Sequence, residues 1–244
     1  MYIPSHFSEA DTGRITQFVF SHPLAVMVAN VEGQLVGNHL PFMALDDEIK
    51  IGSKLISHTA KANPIWKIGE ANEPVLLIFS GYETYISPSY YPTKKETHKV
   101  VPTYNYVAIH IYGKLVCIHD QNQKHAIVEK LTREMEAPSK NPWAVADAPA
   151  DYIQTMLANI VGIQLTIEKI EAKWKVSQNR PEKDKHGVID ALRNASVNAN
   201  NLGMAKEIEQ RSKKWIIREF EFVGFPDKHL WTPWPPHETP GEAS

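Results

Sequence analysis

Short hydrophobic runs separated by turn residues fill the chain between Ser21 and Cys117. Apolar and polar residues alternate within these runs, which is typical of strands that bury one face. The runs read SHPLAVMVANVEG, QLVGNHLPFMALDDE, PVLLIFSGYETYISPSYY and PTYNYVAIHIYGKLVCIHD. Glu32-Gly33 and Tyr112-Gly113 suit tight hairpin turns, and the short, even spacing of the strands favours a closed or half-closed antiparallel barrel.

One short helix is predicted between these strands, in the segment SHTAKANPIWKIG. Ser57 is its candidate N-cap, because a serine hydroxyl accepts a hydrogen bond from an orphan backbone amide. We expect this helix to end at Asn63-Pro64, since the residue before a proline is pushed out of helical geometry.

Beyond Cys117 the apolar residues follow the period of a helix. The pattern predicts one amphipathic helix from Asn122 to Glu136 and a second around Asp151 to Asn159. The segment IQLTIEKIEAKWKVSQNR then returns to the alternation of a strand. The apolar stripe of the first helix consists of Ala126, Ile127, Lys130, Leu131 and Met135.

Pro181 is predicted at the first position of a third helix. A backbone N–H at that position has no partner within the helix, so proline, which lacks an N–H, costs no hydrogen bond there. A polar break from Asn194 to Asn201 precedes a fourth helix that ends near Lys214. We therefore expect one mainly β domain with helices (α+β) over residues 1–225, helical at its C-terminal part from about 181 to 215. Residues 226–244 are expected to form a Pro-rich tail without periodicity.

The composition and charge of the chain limit the binding partners that it can have. The 244 residues are 43% apolar, and 26 Lys and Arg nearly balance 28 Asp and Glu. This balance of charges excludes a uniformly basic surface for nucleic-acid binding and a polybasic membrane anchor. Cys117 is the only cysteine, which excludes an internal disulfide and favours a reducing, cytoplasmic compartment. The segment MYIPSHFSEAD lacks the pattern of an export signal, and no apolar run is long enough for a membrane span.

Several common catalytic signatures are missing from the sequence. It contains no GxGxxG, no GxxxxGK followed by Ser or Thr, no GxSxG and no HExxH. The eleven histidines show no metal-ligand spacing beside a carboxylate, so we expect no dedicated metal site. No residue can be assigned as a catalytic acid, base or nucleophile.

Four polar segments contain groups suited to a phosphorylated aromatic ligand: residues 38–42, 58–66, 101–106 and 173–181. A phosphate monoester needs charge-assisted donors. Donors of this type are Lys61, Lys175, Ser177 and Arg180. A flavin ring needs an apolar face with amide groups along its edge. Side chains of this type are Pro41, Trp66, Asn105, Tyr106 and Gln178.

Six segments carry a more specific resemblance. They read YIPSHF, NHLPF, HTAKANPIW, TYISPSYY, VPTYNYVAIH and KVSQNRPEKDKHGVI, in order from Tyr2 to about Trp215. In these segments the chain resembles the PaiB family of FMN-binding negative transcriptional regulators. That family belongs to the FMN-binding split barrels, which also include pyridoxamine phosphate oxidase and small flavin reductases. In this wider group two subunits place two flavins at their interface.

The resemblance implies a split β-barrel homodimer with FMN as its cofactor. It implies that residues 58–63 and polar or basic residues of facing strands hold the FMN phosphate. The implied cofactor-binding residues are His39, His58, Lys61, Asn63, Trp66, Asn105, Lys175, Ser177, Gln178 and Asn179. Where relatives often have Trp in these segments, this chain has Tyr90 and Tyr104, which keep an aromatic surface without an indole.

These candidates also have structural interpretations. His39 can be a hydrogen-bonded strand residue, and Trp66 a core aromatic. Asn179 can cap the helix after Pro181 without touching a ligand. We assign Trp174 to the core or interface aromatics and Cys117 to the small buried hydrophobes.

Three functions remain open at this point. The first is an FMN-binding protein that acts as a small oxidoreductase, a flavin-dependent sensor or a transcriptional regulator. The second is a DNA-binding repressor that uses the barrel as a dimer scaffold, since residues 169–218 hold twelve basic and six acidic residues. The helix, break and helix from Gly187 to Ser212 superficially resembles a helix-turn-helix, although the break exceeds the usual tight turn. The third is a haem-binding split barrel.

Overall fold

The structure is a computed structural model that describes residues 1–195 and 198–212. Its strands form one antiparallel sheet. Their bounds are β1 Ser8–Glu9, β2 Leu24–Val31, β3 Gln34–Pro41, β4 Met43–Ala44, β5 Lys54–Ala60, β6 Pro74–Ile86, β7 Thr103–Ile118 and β8 Ile160–Lys175. The order across the sheet is β3-β2-β6-β7-β8-β5-β4, and β1 pairs with the end of β8.

The sheet curls until its two ends meet. Strand β8 pairs with β7 along one edge, while its other edge pairs with β5 over residues 160–166 and with β1 over residues 172–173. Strand β3 lies at the far end of the strand order, yet Asn63, just after β5, donates from Nδ2 to Asn38 Oδ1 of β3 at 2.7 Å. This closure confirms the predicted split β-barrel.

One of the two predicted hairpin turns is present. Glu32 and Gly33 join β2 to β3 with φ values of 51° and 84°, the left-handed geometry that a two-residue hairpin needs. The prediction for Tyr112-Gly113 is wrong, because β7 runs through this step with only a shift of register against β8. A Cβ on Gly113 would lie 2.1 Å from the Thr166 carbonyl oxygen, so this glycine allows the backbone of β8 to approach closely.

The helices of the described residues are α1 Thr12–Ser21, α2 Lys67–Glu70, α3 Lys94–Thr97, α4 Gln121–Glu136, α5 Ala150–Ala158, α6 Glu182–Asn194 and α7 Ala199–Ser212. The predictions for α4 and α5 are confirmed, and the α4 stripe buries Ile127 and Leu131 but leaves Met135 48% exposed. Pro181 is the N-cap of α6, one position before the predicted place. The expected end of the fourth helix, the limit at residue 225 and the tail lie outside the described residues.

The predicted helix around Ser57 is wrong. Ser57 lies inside β5, where it pairs with Ile163 of β8. A short 3₁₀ turn, Pro64–Trp66, begins at Asn63, whose Oδ1 accepts from the Ile65 backbone N–H at 3.1 Å. Asn63-Pro64 therefore starts a helical turn, because proline suits the first position of a helix.

The C-terminal helices pack on the barrel. Helix α7 lies against β6 with Met204, Ala205 and Ile208 buried. Trp174, which is 4% exposed, donates from Nε1 to Glu207 Oε2 at 3.1 Å. Its burial confirms the assignment of Trp174 to the core.

Candidate functional site

Four of the implied site residues lie in and after β5 and form what we call the turn cluster: His58, Lys61, Asn63 and Trp66. The Asn63 side chain bridges the 3₁₀ turn and β3 through the two hydrogen bonds already described. Trp66 is half-buried and donates from Nε1 to the Lys61 carbonyl oxygen at 3.0 Å. The Lys61 side chain itself is exposed.

Two histidines near this cluster differ in their surroundings. His58 is half-buried, and its Nδ1 is buried without a hydrogen-bond partner among the described residues. Burial lowers the pKa of His58, so its ring is neutral at neutral pH. His39 is exposed on β3, where it pairs with Val26 of β2 on the outer face of the sheet.

A second group of implied residues lines a cavity of about 170 Å³, which we call the β8-end cavity. It lies between the end of β8, the start of β7 and the segment around Tyr91. Its walls are Phe7, Tyr91, Val101, Pro102, Thr103, Asn105, Lys175, Ser177, Asn179 and Arg180. The cavity therefore brings together four of the ten implied site residues.

The β8-end cavity has a positive lining. Lys175 donates from Nζ to Thr103 Oγ1 at 2.5 Å, and the Arg180 guanidinium carbon lies 4.7 Å from the Tyr91 ring centroid. Burial lowers the pKa of Lys175, and the positive charge of Lys173 lowers it further. No aspartate or glutamate is among the ten lining residues.

The strand that carries Lys175 ends there, so side-chain alternation does not continue into the loop. Ser177 has a φ of 62°, and its Oγ accepts from Asn105 Nδ2 at 2.9 Å with both residues buried. The Gln178 side chain folds back to bond the Trp174 carbonyl and the Val176 N–H, so its amide serves the loop. The capping role for Asn179 is wrong, because Pro181 is the N-cap and Asn179 is exposed at the cavity.

Sequence reasoning missed Tyr91 as a cavity residue. Tyr91 is 2% exposed, and the proton of its buried hydroxyl has no acceptor among the described residues. Burial raises the pKa of Tyr91, whereas the charge of Arg180 and a hydrogen bond from its guanidinium oppose that rise. The segment TYISPSYY contains Tyr91, but only the packing of α6 against this segment reveals which of its tyrosines is enclosed.

The turn cluster and the β8-end cavity lie at opposite ends of the two long strands. Asn105 is near the start of β7, whereas His58 pairs with Gly162, which pairs with Ile118 at the end of β7. The thirteen residue steps from Asn105 to Ile118 span about 40 Å along an extended strand. One copy of the chain therefore does not bring the two groups together.

Comparison with known proteins assigns the family. Residues 1–169 match the family model FMN_bind_2, described as "Putative FMN-binding domain". The chain belongs to this family. A relative from Bacillus subtilis, named protease synthase and sporulation protein PAI 2, is 35% identical over 221 residues, which cover 88% of this chain and 100% of the relative. This match confirms the resemblance to the PaiB family.

Two further matches extend the comparison. The protein AN0679 of Emericella nidulans is 30% identical over 233 residues, which cover 82% of this chain and 93% of that protein. Among solved structures, the flavocytochrome Anf3 from Azotobacter vinelandii aligns with a TM-score of 0.51 and 13% identity over 76% of this chain and 78% of that chain. At this identity the structural match supports the split-barrel fold alone.

The chain is thus an FMN-binding split-barrel protein, and its residues suit that cofactor. Two cations that face a cavity suit a phosphate, while the orphaned His58 Nδ1 and the Asn63 amide suit the polar edge of a flavin ring. Within residues 1–195 and 198–212, no helix is long and apolar enough to cross a membrane. The same residues contain no cluster of three His, Cys, Asp or Glu side chains suited to a metal ion.

Proposed function

We propose that the protein is a homodimeric FMN-dependent oxidoreductase that acts on a small molecule. In this proposal each FMN is held by the turn cluster of one copy and the β8-end cavity of the other. The proposed cofactor-binding residues are His58, Lys61, Asn63 and Trp66 of the turn cluster and Asn105, Lys175, Ser177 and Asn179 of the cavity. His39 on the outer face of β3 and Gln178, whose amide bonds the loop backbone, belong to neither group. The separation of the two groups along β7 is the observation that carries the proposal, because one flavin cannot span about 40 Å.

An apolar strip on the outer face of the sheet supports the dimer. Its half-buried members are Val26, Val28, Leu76, Ile78 and Ala108. Val26 pairs with Ile78 of β6, and Ile78 pairs with His110 of β7, so these side chains share one face. A monomer gains nothing from such a strip in water, whereas a second copy would bury it.

The symmetry of such a contact fits the site. Two copies that share the same face are related by a twofold axis in the plane of the interface, and an axis perpendicular to β7 reverses the direction of that strand in one copy relative to the other. An axis near the middle of β7 would put the start of β7 in one copy beside the end of β7 in its partner. The β8-end cavity and the turn cluster would then meet twice, once at each end of the interface.

The surroundings of the C-terminal helices favour this function over direct DNA binding. Several basic side chains there are already in ion pairs: Lys183 with Glu96 at 2.6 Å, Lys185 with Glu182 at 2.7 Å, and Arg193 with Glu209 at 2.9 Å. Helix α7 uses its apolar side against the barrel. A regulatory effect of the protein would then pass through its flavin chemistry and not through a DNA groove.

Bound FMN supplies the redox chemistry, since flavins transfer hydride and single electrons. The protein binds the cofactor, orients it and limits access of water. No side chain is assigned a proton-transfer role. The single cysteine supports a cytoplasmic location, where thiols stay reduced.

Light scattering combined with FMN titration tests the dimer. We expect the wild-type chain to be a dimer at micromolar concentration and Ile78→Glu to be a monomer with weakened FMN binding, because a charge would enter the apolar strip. Tyr152→Glu is the matched control, since Tyr152 is 55% exposed on α5 away from this strip. A wild-type monomer that binds FMN fully would contradict the shared site.

The oxidoreductase role has its own test. We expect NADH or NADPH to bleach the flavin absorbance of the anaerobic protein, and an added electron acceptor to restore it. Salt-dependent gel shifts with DNA, together with no reduction by either nucleotide, would favour the repressor instead.

A further inference from the structure

The β8-end cavity carries an inference about ligand chemistry that rests on the proposed function. We propose that this cavity is a pocket for an anionic group, a phosphate or a carboxylate, in which Arg180 and Tyr91 act as binding residues beside Lys175.

The charge of the cavity is the first step. Lys175 and Arg180 both line it, and in the described part of the chain neither has a carboxylate oxygen within 4.0 Å. The neighbouring acid, Asp184, lies outside the lining and is occupied by Thr93. Two cations that share a partly enclosed space without an acid leave a positive potential, which an anion neutralises.

The buried hydroxyl of Tyr91 is the second step. The Tyr91 hydroxyl lies in a residue that is 2% exposed, beside the guanidinium of Arg180, and its proton has no acceptor in the described part of the chain. A buried O–H that lacks an acceptor costs free energy unless a ligand or water accepts its proton. Tyr91 lines the cavity, so its O–H can donate to an oxygen of a group bound there.

The volume of the cavity and the lowered pKa of Lys175 are both compatible with a pocket for an anionic group. A cavity of about 150 Å³ accepts a molecule the size of benzene, so about 170 Å³ accommodates a phosphate or a small carboxylate-bearing group. Burial and the nearby Lys173 lower the pKa of Lys175. A bound anion opposes both effects and favours the charged lysine.

Two sources can supply such an anion: the phosphate of FMN held across the dimer, or the anionic group of a small substrate. The test uses the full chain with Lys175→Met, Arg180→Ala and Tyr91→Phe, and Lys169→Met as the control. Lys169 lies on the same strand but outside the cavity, and its side chain is 59% exposed. Lys169→Met makes the same change of charge as Lys175→Met. Binding of FMN, riboflavin and inorganic phosphate is measured at constant ionic strength, after circular dichroism has shown that each variant is folded.

If FMN is the source, Lys175→Met and Arg180→Ala each weaken FMN by about 10- to 150-fold and leave riboflavin unchanged, the scale of a lost charged hydrogen bond. Tyr91→Phe gives a smaller loss, and phosphate competes with FMN. If a substrate is the source, FMN and riboflavin affinities stay unchanged, which removes Lys175 from the proposed cofactor-binding residues, while phosphate binds the FMN-loaded wild type and not the lysine or arginine variant.

The inference is overturned if phosphate does not bind and no variant separates FMN from riboflavin. Equal losses for FMN and riboflavin in folded variants, without an effect on phosphate, also overturn it. A wild-type chain that binds no FMN would contradict the proposed function instead. Phosphate binding to that flavin-free chain, lost in the lysine and arginine variants, would still support the pocket.

Discussion

The Asp184 carboxylate accepts two hydrogen bonds from Thr93, one from the backbone N–H at 3.1 Å and one from Oγ1 at 2.8 Å. Asp184 is 1% exposed in the first turn of α6, where the helix dipole favours a negative charge. Thr93 follows Tyr91 by two residues, and Arg180 comes shortly before α6. This contact therefore ties together the two chain segments that carry Tyr91 and Arg180.

Removal of this carboxylate should loosen the cavity wall. We expect Asp184→Ala to lower the free energy of unfolding by about 2 to 4 kcal/mol, because a buried N–H and a hydroxyl lose a charged partner. Urea unfolding measures the change. Asp190→Ala, on an exposed position of the same helix, should change stability by no more than about 0.5 kcal/mol. Equal effects of the two substitutions would show that the Thr93 contact adds nothing.

Gly187 allows α6 to lie close to the same segment. A Cβ there would be 2.4 Å from the Tyr90 carbonyl oxygen and 2.6 Å from Pro92 Cδ. We expect Gly187→Ala to destabilise the protein by about 1 to 3 kcal/mol, although alanine is the better helix former. Thermal unfolding checks this result against His186→Ala, an exposed neighbour. A stabilised Gly187→Ala variant would mean that α6 shifts without cost.

Trp174 should matter for stability and not for the cofactor. It packs edge-on against Phe18, with ring centroids 5.2 Å apart, and bonds Glu207 of α7. We expect Trp174→Phe to cost about 1 to 2 kcal/mol of stability, since a buried hydrogen bond and contact area are lost. FMN affinity should stay unchanged, as it should for the exposed control Trp143→Phe. A fall in FMN affinity for a folded Trp174→Phe protein would place the indole in the site.

Glu171 makes stability depend on acid pH. Hydrogen bonds from Lys169, from the Met1 amino group and from Tyr112 lower the pKa of Glu171 from 4.5 to about 2. Because the folded-state pKa is depressed, the stabilisation is complete above pH 4.5 and is lost as the pH falls toward 2.

We expect Glu171→Gln to be less stable than wild type by about 1 kcal/mol at pH 6, and the gap to close by pH 2. Urea midpoints across this range measure it, with the exposed Glu73→Gln as control. A gap that persists unchanged at low pH would rule out the charge of Glu171 as its cause.

Local patterns in the sequence determined much of the architecture. The alternation from Leu24 to Val31 and the Glu32-Gly33 step define the β2–β3 hairpin, because a two-residue turn needs only neighbouring residues. The apolar stripe of α4 is equally local, and its centre, Ile127 and Leu131, is buried. The segments HTAKANPIW and KVSQNR contain residues of the turn cluster and of the β8-end cavity.

Tertiary structure decided the features that depend on distant partners. Tyr112-Gly113 has the composition of a turn, but β8 pairs across it and keeps β7 extended. Ser57 has the composition of a helix cap, but pairing with Ile163 holds it in β5. Tyr91 joins the cavity only because α6 packs on its segment. Sequence thus determined the elements and the residue types of the site, whereas pairing and packing over long sequence separations decided which residues meet and placed the two halves of the site at opposite ends of β7.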